Sequence, residues 1–397
     1  MLARRAVSTS RVLTARCSPT FQRRSFQNPA VTTSLHPDFG FSFDIDGVLL
    51  RSSSPLPGAI SALKHLQANR IPFILLTNGG GRSETARVNE LSTLLDVPLN
   101  VDMFVQSHTP FAELRKQYEG KTVLVIGGHE GGNLVRKVAE DDYGFSSVVT
   151  PADILCAYPS IWPFASQFLP HYKEHARPLP LPINPTAGAG GSLKIDGVFV
   201  YNDPRDWGLD STVLLDLLLS SQGLLGTLSP KNGDNTLPNN GYQQDSQPAV
   251  YFSNPDLFWA SSHALPRLGQ GGFQAAFRGL WNTVTNGAVL LNTTTIGKPS
   301  QHAYEFAETR LRAHRKALFG HVGLNDPLRK VYMIGDNPES DIRGANEYVS
   351  QHGTQWRSVL VETGVHQRGS EPKYTPNVIV QDVGEAVRWA IEDAKKG

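Results

Sequence analysis

The sequence predicts an α/β protein in which a Rossmann-like parallel-sheet core is interrupted by an inserted α/β domain. Short apolar strands alternate with helical apolar periodicity in two blocks, one near residue 40 and one after residue 330. In both blocks a strand ends on acidic side chains. About 200 residues of different texture separate the blocks, and this spacing indicates an insertion into one core.

Length and composition exclude a small or globally disordered protein. The 397 residues include 18 Phe, 11 Tyr and 6 Trp, and hydrophobic residues make up 40% of the chain. That apolar mass can offset the conformational entropy lost on folding. Basic and acidic residues balance at 37 and 36, so the broad positive field that nucleic-acid binding requires is absent. We therefore expect no nucleic-acid partner.

The segment 1–37 has the composition of a mitochondrial transit peptide. It contains six arginines, several Ser and Thr residues and no acid, and its apolar residues are scattered between the arginines. We expect it to be disordered and removed on import, although a disordered basic tail has the same composition. Its removal would leave 31 basic against 36 acidic residues, a net charge of −5. The predicted location is the mitochondrion, in the matrix.

Cysteine use and hydropathy predict neither a disulfide nor a membrane span. The cysteines are Cys17 and Cys156, and the first lies in the segment expected to be lost, so no intrachain disulfide is expected. No run of about 18 uninterrupted apolar residues occurs. The longest apolar stretch, 213–219, is broken by Asp216.

The first block, 39–76, predicts a βαβ unit. Residues 39–46 (FGFSFDID) form an apolar run that ends on two carboxylates, 58–69 has apolar residues at helical spacing, and 71–76 is a second apolar run. A right-handed crossover places both strand ends on one edge of a parallel sheet. We therefore expect Asp44, Asp46 and Thr77 to converge there.

The second block completes the core, and the intervening residues form the inserted domain. The core elements predicted here are a strand at 330–334, an acidic loop entering a helix, strands at 359–362 and 378–380, and a helix at 383–394. The insertion is predicted to contain strands at 123–126, 197–201 and 250–252, with helices near Leu134, Leu215 and Trp281. The predicted domain ranges are 38–119 and 286–397 for the core and 120–285 for the insertion, with a flexible, solvated loop at 220–247.

Four separated motifs carry candidate chemistry. DIDGV at 44–48 places two carboxylates, Asp44 and Asp46, on one face just past a strand end; the alternative is a turn motif. LLTNGGG at 75–81 offers the Thr77 hydroxyl and free backbone amides for an anion; the alternative is an ordinary glycine-rich turn.

The other two motifs supply a cation and hard oxygen ligands. IGKPS at 296–300 places Lys298 before a helix led by Pro299, although a lone lysine is usually solvated. GDNPESD at 335–341 supplies Asp336 and Asp341, which suit Mg²⁺, although acids at a helix start are commonly caps. The order of the four motifs and their complementary charges favour one site.

Competing motifs fit poorly. The glycine-rich segment at 127–132 has His129 where the dinucleotide fingerprint requires its second glycine. GAGGSLK at 188–194 lacks the spacing and the hydroxyl of a P-loop. The chain has too few cysteines for a zinc site of the cysteine type.

The four motifs together resemble the haloacid dehalogenase-like hydrolases. Their signature is a DxDG motif, a strand-end Thr, a Lys before a helix and a GDxxxxD loop, and all are present. The insertion resembles the C2-type cap of the class IIA, NagD-like branch. More closely, the strings at 201–210, 251–261, 268–273 and 335–346 resemble a eukaryotic mitochondrial subfamily named after the cat eye syndrome critical region. The resemblance covers Phe39 to the C-terminus.

The resemblance implies a Mg²⁺-dependent phosphatase of a small phosphorylated metabolite, conceivably a sugar, nucleotide or glycerophospholipid-related phosphate. It implies that Asp44 is the nucleophile of an aspartyl-phosphate mechanism, that Asp46 is the general acid and base, and that Lys298 steadies the nucleophile. It further implies two sets of binding residues. The phosphate-binding set is Thr77, Asn78 and Gly79, and the metal set is Asp44, Asp46 through its backbone carbonyl, Asp336 and Asp341.

The resemblance also implies that the cap selects the leaving group, with Asn254, Asp256 and Gln270 as specificity candidates. A helix N-terminus beginning at Pro255 is the alternative interpretation of the first two. A homodimer through the cap is expected by resemblance only. The competing hypothesis for the whole chain is a mitochondrial binding or regulatory protein on the same fold with little or no catalysis.

Overall fold

The computed structural model describes residues 36–188, 190–287, 289–320 and 327–396. The predicted transit peptide therefore lies outside the described residues, apart from His36 and Pro37. None of the helices in the described ranges is long and apolar enough to cross a membrane.

Strands and helices alternate along the described chain. The strands are β1 (Phe39–Phe43), β2 (Leu50–Arg51), β3 (Ser54–Pro55), β4 (Phe73–Thr77), β5 (Phe104–Gln106), β6 (Thr122–Ile126), β7 (Ser147–Val149), β8 (Gly197–Val200), β9 (Ala249–Phe252), β10 (Phe258–Trp259), β11 (Arg267–Leu268), β12 (Thr294–Thr295), β13 (Lys330–Gly335), β14 (Gln355–Val361) and β15 (Val378–Val380). The α-helices are α1 (Ala59–Ala68), α2 (Glu84–Leu94), α3 (Asn133–Lys137), α4 (Pro151–Ala157), α5 (Leu169–His175), α6 (Trp207–Leu219), α7 (Gln270–Val284), α8 (Gln301–Phe319), α9 (Arg343–Glu347) and α10 (Val383–Lys395).

The core sheet is parallel and has the strand order β15-β14-β13-β1-β4-β5. Alternate residues of β4 face opposite sides, because a strand has a side-chain period of two. Phe73 and Leu75 pack in one apolar cluster, and Ile74 and Leu76 pack in another. The sheet is therefore covered on both faces, which is typical of a parallel sheet.

Register brings the predicted site residues to one edge of this sheet. Phe43 of β1 lies beside both Leu75 of β4 and Ile334 of β13. Residues that follow these positions by one or two steps therefore meet at the carboxyl edge, where open α/β sheets bind ligands.

The insertion forms a second parallel sheet in the order β12-β9-β8-β6-β7. It is covered on both faces, since Leu124 and Ile126 of β6 pack in one cluster and Val123 and Val125 in another. The predicted fold class, a Rossmann-like core with an inserted α/β cap, is confirmed. The predicted domain ranges stay a prediction. In the structure, strand β12 lies beyond residue 285 and pairs with β9 of the inserted sheet.

Two local expectations need correction. The helix after Lys298 begins at Gln301 and is capped by Ser300, whose hydroxyl accepts from the Ala303 amide; Pro299 precedes the cap. The segment 220–247 has few regular elements, but it is not simply solvated. Leu225 is buried, and the buried Asp245 carboxylate accepts hydrogen bonds from Ser221 and Ser229. The sequence did not indicate this packing, because the few leucines of the segment stand among many polar residues.

Candidate active site

A cavity of about 280 Å³ lies at the carboxyl edge of the core sheet, between the core and the cap. Residues from all four sequence motifs line it. From the core they include Asp44, Asp46, Thr77, Asn78, Gly79, Lys298, Asp336 and Asp341, and from the cap Asn202, Asp203, Arg205, Asn254, Asp256, Phe258 and Trp259. The convergence expected of the strand ends is therefore present.

Lys298 is the buried cation at the centre of this site. Its ammonium Nζ lies 2.7 Å from an oxygen of Asp44 and 2.7 Å from an oxygen of Asp341, and it donates to the Leu76 carbonyl at 2.9 Å. Its three donors are thus matched by three acceptors. Burial alone would lower the pKa of Lys298, but the Asp341 and Asp44 carboxylates outweigh burial and hold that pKa above its ordinary value.

The Asn78 side chain fixes the backbone of Lys298. Its Oδ1 accepts from the Lys298 amide at 2.9 Å, and its Nδ2 donates to the Lys298 carbonyl at 2.9 Å. A side chain at Gly297 would lie 2.1 Å from the Ser253 carbonyl oxygen, so only glycine allows this approach. The Asn78 side chain is therefore engaged in positioning, which leaves its backbone amide for the predicted anion contact.

Three buried carboxylates form a group that can hold a metal ion. Oxygens of Asp44, Asp336 and Asp341 all lie within 4.8 Å of one another. Gly47, with φ of +89°, passes so close to Asp336 that a Cβ there would lie 2.3 Å from its Oδ2. One lysine does not neutralise three carboxylates, and hard oxygen donors suit Mg²⁺. The residues therefore fit this cation; the Asp46 carboxylate is not part of the group.

Burial and mutual repulsion raise the pKa values of two acids of this group, Asp44 and Asp336. Burial raises the pKa of Asp44 to about 8, with Asp341 adding to the shift and Lys298 opposing it. Burial, with Asp44 and Asp341 beside it, also raises the pKa of Asp336. A bound divalent cation would favour the ionised carboxylates.

The Thr77 and Asp46 side chains face residues 79–81 of the TNGGG motif, here called the glycine run. The Gly79 amide donates to the Thr77 hydroxyl oxygen at 3.0 Å. A Cβ at Gly79 would lie 3.6 Å from Asp46 Oδ2, so the second carboxylate of DIDGV lies beside this turn. Burial raises the pKa of Asp46, while Arg87 and Lys298 oppose the shift. A carboxyl group of raised pKa is suited to general acid catalysis.

The cap contributes Asp256 to this site. Its carboxylate accepts from Asn78 Nδ2 at 3.0 Å and from Asn337 Nδ2 at 3.4 Å, and burial raises its pKa to about 7. Residues 254–256 form no helix, so the alternative of a helix N-terminus at Pro255 is wrong.

The other two cap candidates differ from each other. Asn254 is buried and lines the cavity. Gln270 is completely buried and is not among the lining residues. Its Oε1 accepts from the Asn254 amide at 3.0 Å, so its observed role is to fix the backbone of Asn254.

Sequence reasoning missed Asn202. This cap residue is 7% exposed and lines the cavity, and its Oδ1 is buried without a hydrogen-bond partner among the described residues. An unpaired buried carbonyl oxygen costs about 1–3 kcal/mol, which a ligand donor can relieve. Asn202 stands in the YNDPRDWGLD string, but a lone asparagine after a strand carries no signal of its own.

Sequence reasoning also missed a chain of hydrogen bonds between core and cap. The Gly81 amide donates to His108 Nε2 at 3.0 Å, so Nδ1 carries the proton and donates to the Tyr143 hydroxyl at 2.8 Å. Tyr143 donates in turn to Glu84 at 2.6 Å. Burial lowers the pKa of His108 to about 4, although Glu84 opposes the shift. These hydrogen bonds therefore hold a neutral His108 against residues 79–81.

Comparisons with known proteins point to one family for both core blocks. Residues 41–143 match a model described as haloacid dehalogenase-like hydrolase, and residues 295–386 match a second model of haloacid dehalogenase hydrolase-like proteins. The two matched ranges contain DIDGV, TNGGG, GKPS and GDNPESD.

Two curated relatives match most of this chain, and a third matches about a fifth of it. It is 40% identical over 370 residues to a cardiolipin synthase (CMP-forming) / mitochondrial hydrolase fusion protein of Schizosaccharomyces pombe, covering 93% of this chain and 56% of that protein. It is 39% identical over 368 residues to a mitochondrial hydrolase of Saccharomyces cerevisiae, covering 89% of this chain and 95% of that one. It is also 34% identical over 85 residues to the ribonucleotide monophosphatase NagD of Escherichia coli, covering 21% of this chain and 33% of NagD.

Solved structures share the fold. A possible sugar phosphatase of the haloacid dehalogenase superfamily from Cytophaga hutchinsonii superposes with a TM-score of 0.55 at 16% identity, covering 88% of this chain and 96% of that one. At this identity the likeness concerns the fold alone.

Proposed function

The chain belongs to the class IIA branch of the haloacid dehalogenase-like hydrolases, and we propose that it is a Mg²⁺-dependent phosphatase of a small phosphorylated metabolite. One observation carries the proposal. Lys298 contacts Asp44 and Asp341 at 2.7 Å each, beside Asp336, in a cavity that also holds Asp46 and the Thr77 turn. One cavity is thus lined by a candidate nucleophile, a candidate general acid, a cation and a group of carboxylates.

Asp44 acts as the nucleophile in this proposal. Its carboxylate oxygen attacks the phosphorus atom and forms an aspartyl-phosphate as the bond to the leaving oxygen breaks. Asp46 gives its proton to that leaving oxygen. Water then attacks the phosphorus atom, Asp46 takes up the water proton, and the bond to Asp44 breaks to release phosphate.

Lys298 and the Thr77 turn stabilise the transferred group. The Lys298 ammonium orients Asp44 and offsets the negative charge of the transition state. The Thr77 hydroxyl and the Asn78 amide bind phosphoryl oxygens, and the Gly79 amide, which donates to the Thr77 hydroxyl oxygen, orients that hydroxyl or turns to the phosphoryl group when substrate binds. Mg²⁺, held by Asp44, Asp336, Asp341 and the Asp46 carbonyl, would supply charge neutralisation at the phosphoryl group.

The relatives bear on the cellular location and on the candidate substrates. Two fungal relatives carry the word mitochondrial in their names, which supports a mitochondrial location; the matrix and a homodimer through the cap are finer proposals. One relative joins a hydrolase to a cardiolipin synthase in one chain. That fusion supports keeping glycerophospholipid phosphates beside sugar and nucleotide phosphates among the candidate substrates.

Phosphate release from a panel of phosphomonoesters tests the function. The panel comprises p-nitrophenyl phosphate, sugar phosphates, nucleoside monophosphates and glycerol 3-phosphate, each with Mg²⁺ and with chelator. We expect Mg²⁺-dependent release that falls at least about 10³-fold in Asp44→Asn. The matched control is Asp102→Asn, because the Asp102 carboxylate is exposed, pairs with Arg310 and is not among the residues that line the cavity.

Two outcomes would contradict the proposal. One is release that survives unchanged in Asp44→Asn. The other is no release from any compound by a chain whose fold is intact by circular dichroism, which would favour a binding or regulatory protein instead.

A further inference from the structure

A second cavity, here called the apolar groove, lies beside the catalytic cavity between the cap and the core. Its volume is about 830 Å³, within the roughly 300–1,000 Å³ of ligand pockets. Its walls expose more apolar than polar surface, and they include Pro255, Pro266, Pro299, Pro338 and Pro372. Proline has little conformational freedom to lose, so ordering these five residues around a ligand would cost little backbone entropy.

The apolar groove adjoins the 280 Å³ cavity that holds Asp44 and Lys298, here called the catalytic cavity. Asp256, Phe258, Asn337 and Val365 line both. A ligand whose phosphate group lies against Asp44 and Lys298 would therefore place the rest of its length in the groove, across these shared residues.

The cap hairpin formed by β10 and β11 covers one side of the groove and is unusually apolar for a surface element. Its large side chains that are exposed to solvent are Leu257, Phe258, Trp259, Leu265 and Leu268. Clustered exposure of this kind at a cavity mouth marks a binding surface rather than ordinary solvated surface.

The charges of the groove do not favour a second anionic group. Arg343 is paired with Glu347, and Lys373 is paired with Glu339 at 2.9 Å. In all, three cationic side chains line the groove against three acidic ones: Arg267, Arg343 and Lys373 against Asp256, Glu339 and Glu371. The occupant that fits is apolar along its length and anionic only where it enters the catalytic cavity.

We propose that the apolar groove holds the acyl chain of an amphiphilic phosphomonoester whose phosphate group lies in the catalytic cavity. The inference rests on the proposed phosphatase function, because that function fixes the polar end of the ligand. It adds the substrate class: a phosphate monoester with a long apolar tail, in preference to a compact sugar phosphate.

A chain-length series tests the inference. Glycerol 3-phosphate and 1-acylglycerol 3-phosphates with acyl chains of roughly six to twelve carbons are compared below their micelle concentrations. We expect kcat/KM to rise by roughly 2- to 4-fold for each methylene that enters the groove. Leu265→Glu, which places a charge on the groove wall, should flatten this rise. Leu228→Glu is the matched control, because Leu228 is an exposed leucine of the cap outside the groove.

The outcomes separate this inference from the proposed function. Turnover of p-nitrophenyl phosphate with no rise along the series, or an equal rise in Leu265→Glu, would overturn the inference and leave the phosphatase in place. If no phosphomonoester is hydrolysed, the proposed phosphatase function is wrong. Calorimetric binding of dodecyl phosphate then tests whether the groove binds an apolar chain. Binding lost in Leu265→Glu and kept in Leu228→Glu would support the groove, and no binding by the unaltered chain would overturn it.

Discussion

Lys298 is the residue on which the charge balance of the site depends. It is 1% exposed, and two of its three donors contact carboxylates. A buried ion pair of this kind adds little stability, yet removal of one partner leaves an uncompensated charge. The position of Lys298 in turn depends on Asn78, whose side chain bonds both the backbone amide and the backbone carbonyl of Lys298.

Lys298→Met tests this dependence. The variant keeps the length of the side chain but leaves Asp44 facing Asp341 without a cation, so we expect kcat to fall by about 10²- to 10⁴-fold. Steady-state kinetics with the best substrate of the panel give the value, and circular dichroism checks the fold. Lys64→Met, at an exposed lysine paired with Asp96, should keep full activity. A Lys298→Met enzyme within tenfold of the unaltered chain would contradict the assigned role.

At the residue scale, the sequence predicted the groups that follow a buried strand directly. Asp44 and Asp336 were predictable because an apolar run of strand length leads into each. The place of Asn202 in the site and the supporting role of Gln270 were not predictable. Each depends on which residues of a distant segment lie within hydrogen-bond distance. That information is tertiary and leaves no local pattern.

At the scale of elements, helix α2 is connected to the cap through its first residue. Glu84 accepts from Tyr143 of the cap and from Thr109 at 2.8 Å. Burial alone would raise the pKa of Glu84, but His108 and these two hydroxyl groups outweigh it and hold that pKa below the ordinary value. Helix α2, the glycine run and the cap thus share one buried network with His108 at its centre.

The network predicts a pH-dependent stability. The folded-state pKa of His108 is about 4 against 6.5 when unfolded, so the unfolded chain binds the extra proton between these values. The stabilisation is complete above pH 6.5 and is lost as pH falls toward 4, by about 2 kcal/mol at pH 5. Urea unfolding near pH 7.5 and pH 5 should show this loss, and His108→Gln should remove about that much of it.

The exposed His352 supplies the control for this measurement. His352→Gln should keep the pH dependence of the unaltered chain. An equal loss of stability at pH 5 in His108→Gln and in the unaltered chain would show that His108 is not held neutral by its surroundings.

Elements with continuous apolar runs were predictable, and their bounds shifted by a few residues. Residues 378–380 form a strand as predicted, and the last helix ends at Lys395 rather than 394. The packing of 220–247 was not predictable, because buried side chains such as Leu225 and Asp245 stand among polar residues without periodicity.

At the scale of the whole molecule, the candidate site is divided between two parallel sheets, and the proposed function assigns catalysis to the core and substrate selection to the cap. The core supplies Asp44, Lys298 and the acidic group, and the cap supplies Asp256 and Asn202 to the same cavity. The order of the motifs predicted the two sheets and the insertion. It could not predict where the cap meets the core, because that contact joins residues such as Asn78 and Asp256 that are 178 positions apart.

In the proposed mechanism Asp44 carries the transferred phosphoryl group, and chemical trapping of that group would identify the residue that carries it. The chain is mixed with Mg²⁺ and its best phosphomonoester, quenched within one turnover, treated with borohydride to reduce an acyl phosphate to homoserine, and mapped by peptide mass spectrometry. We predict homoserine at position 44 only when substrate and Mg²⁺ are both present, and none in Asp44→Asn. Phosphate release with no modified residue, or with the modification at another carboxylate, would contradict the account.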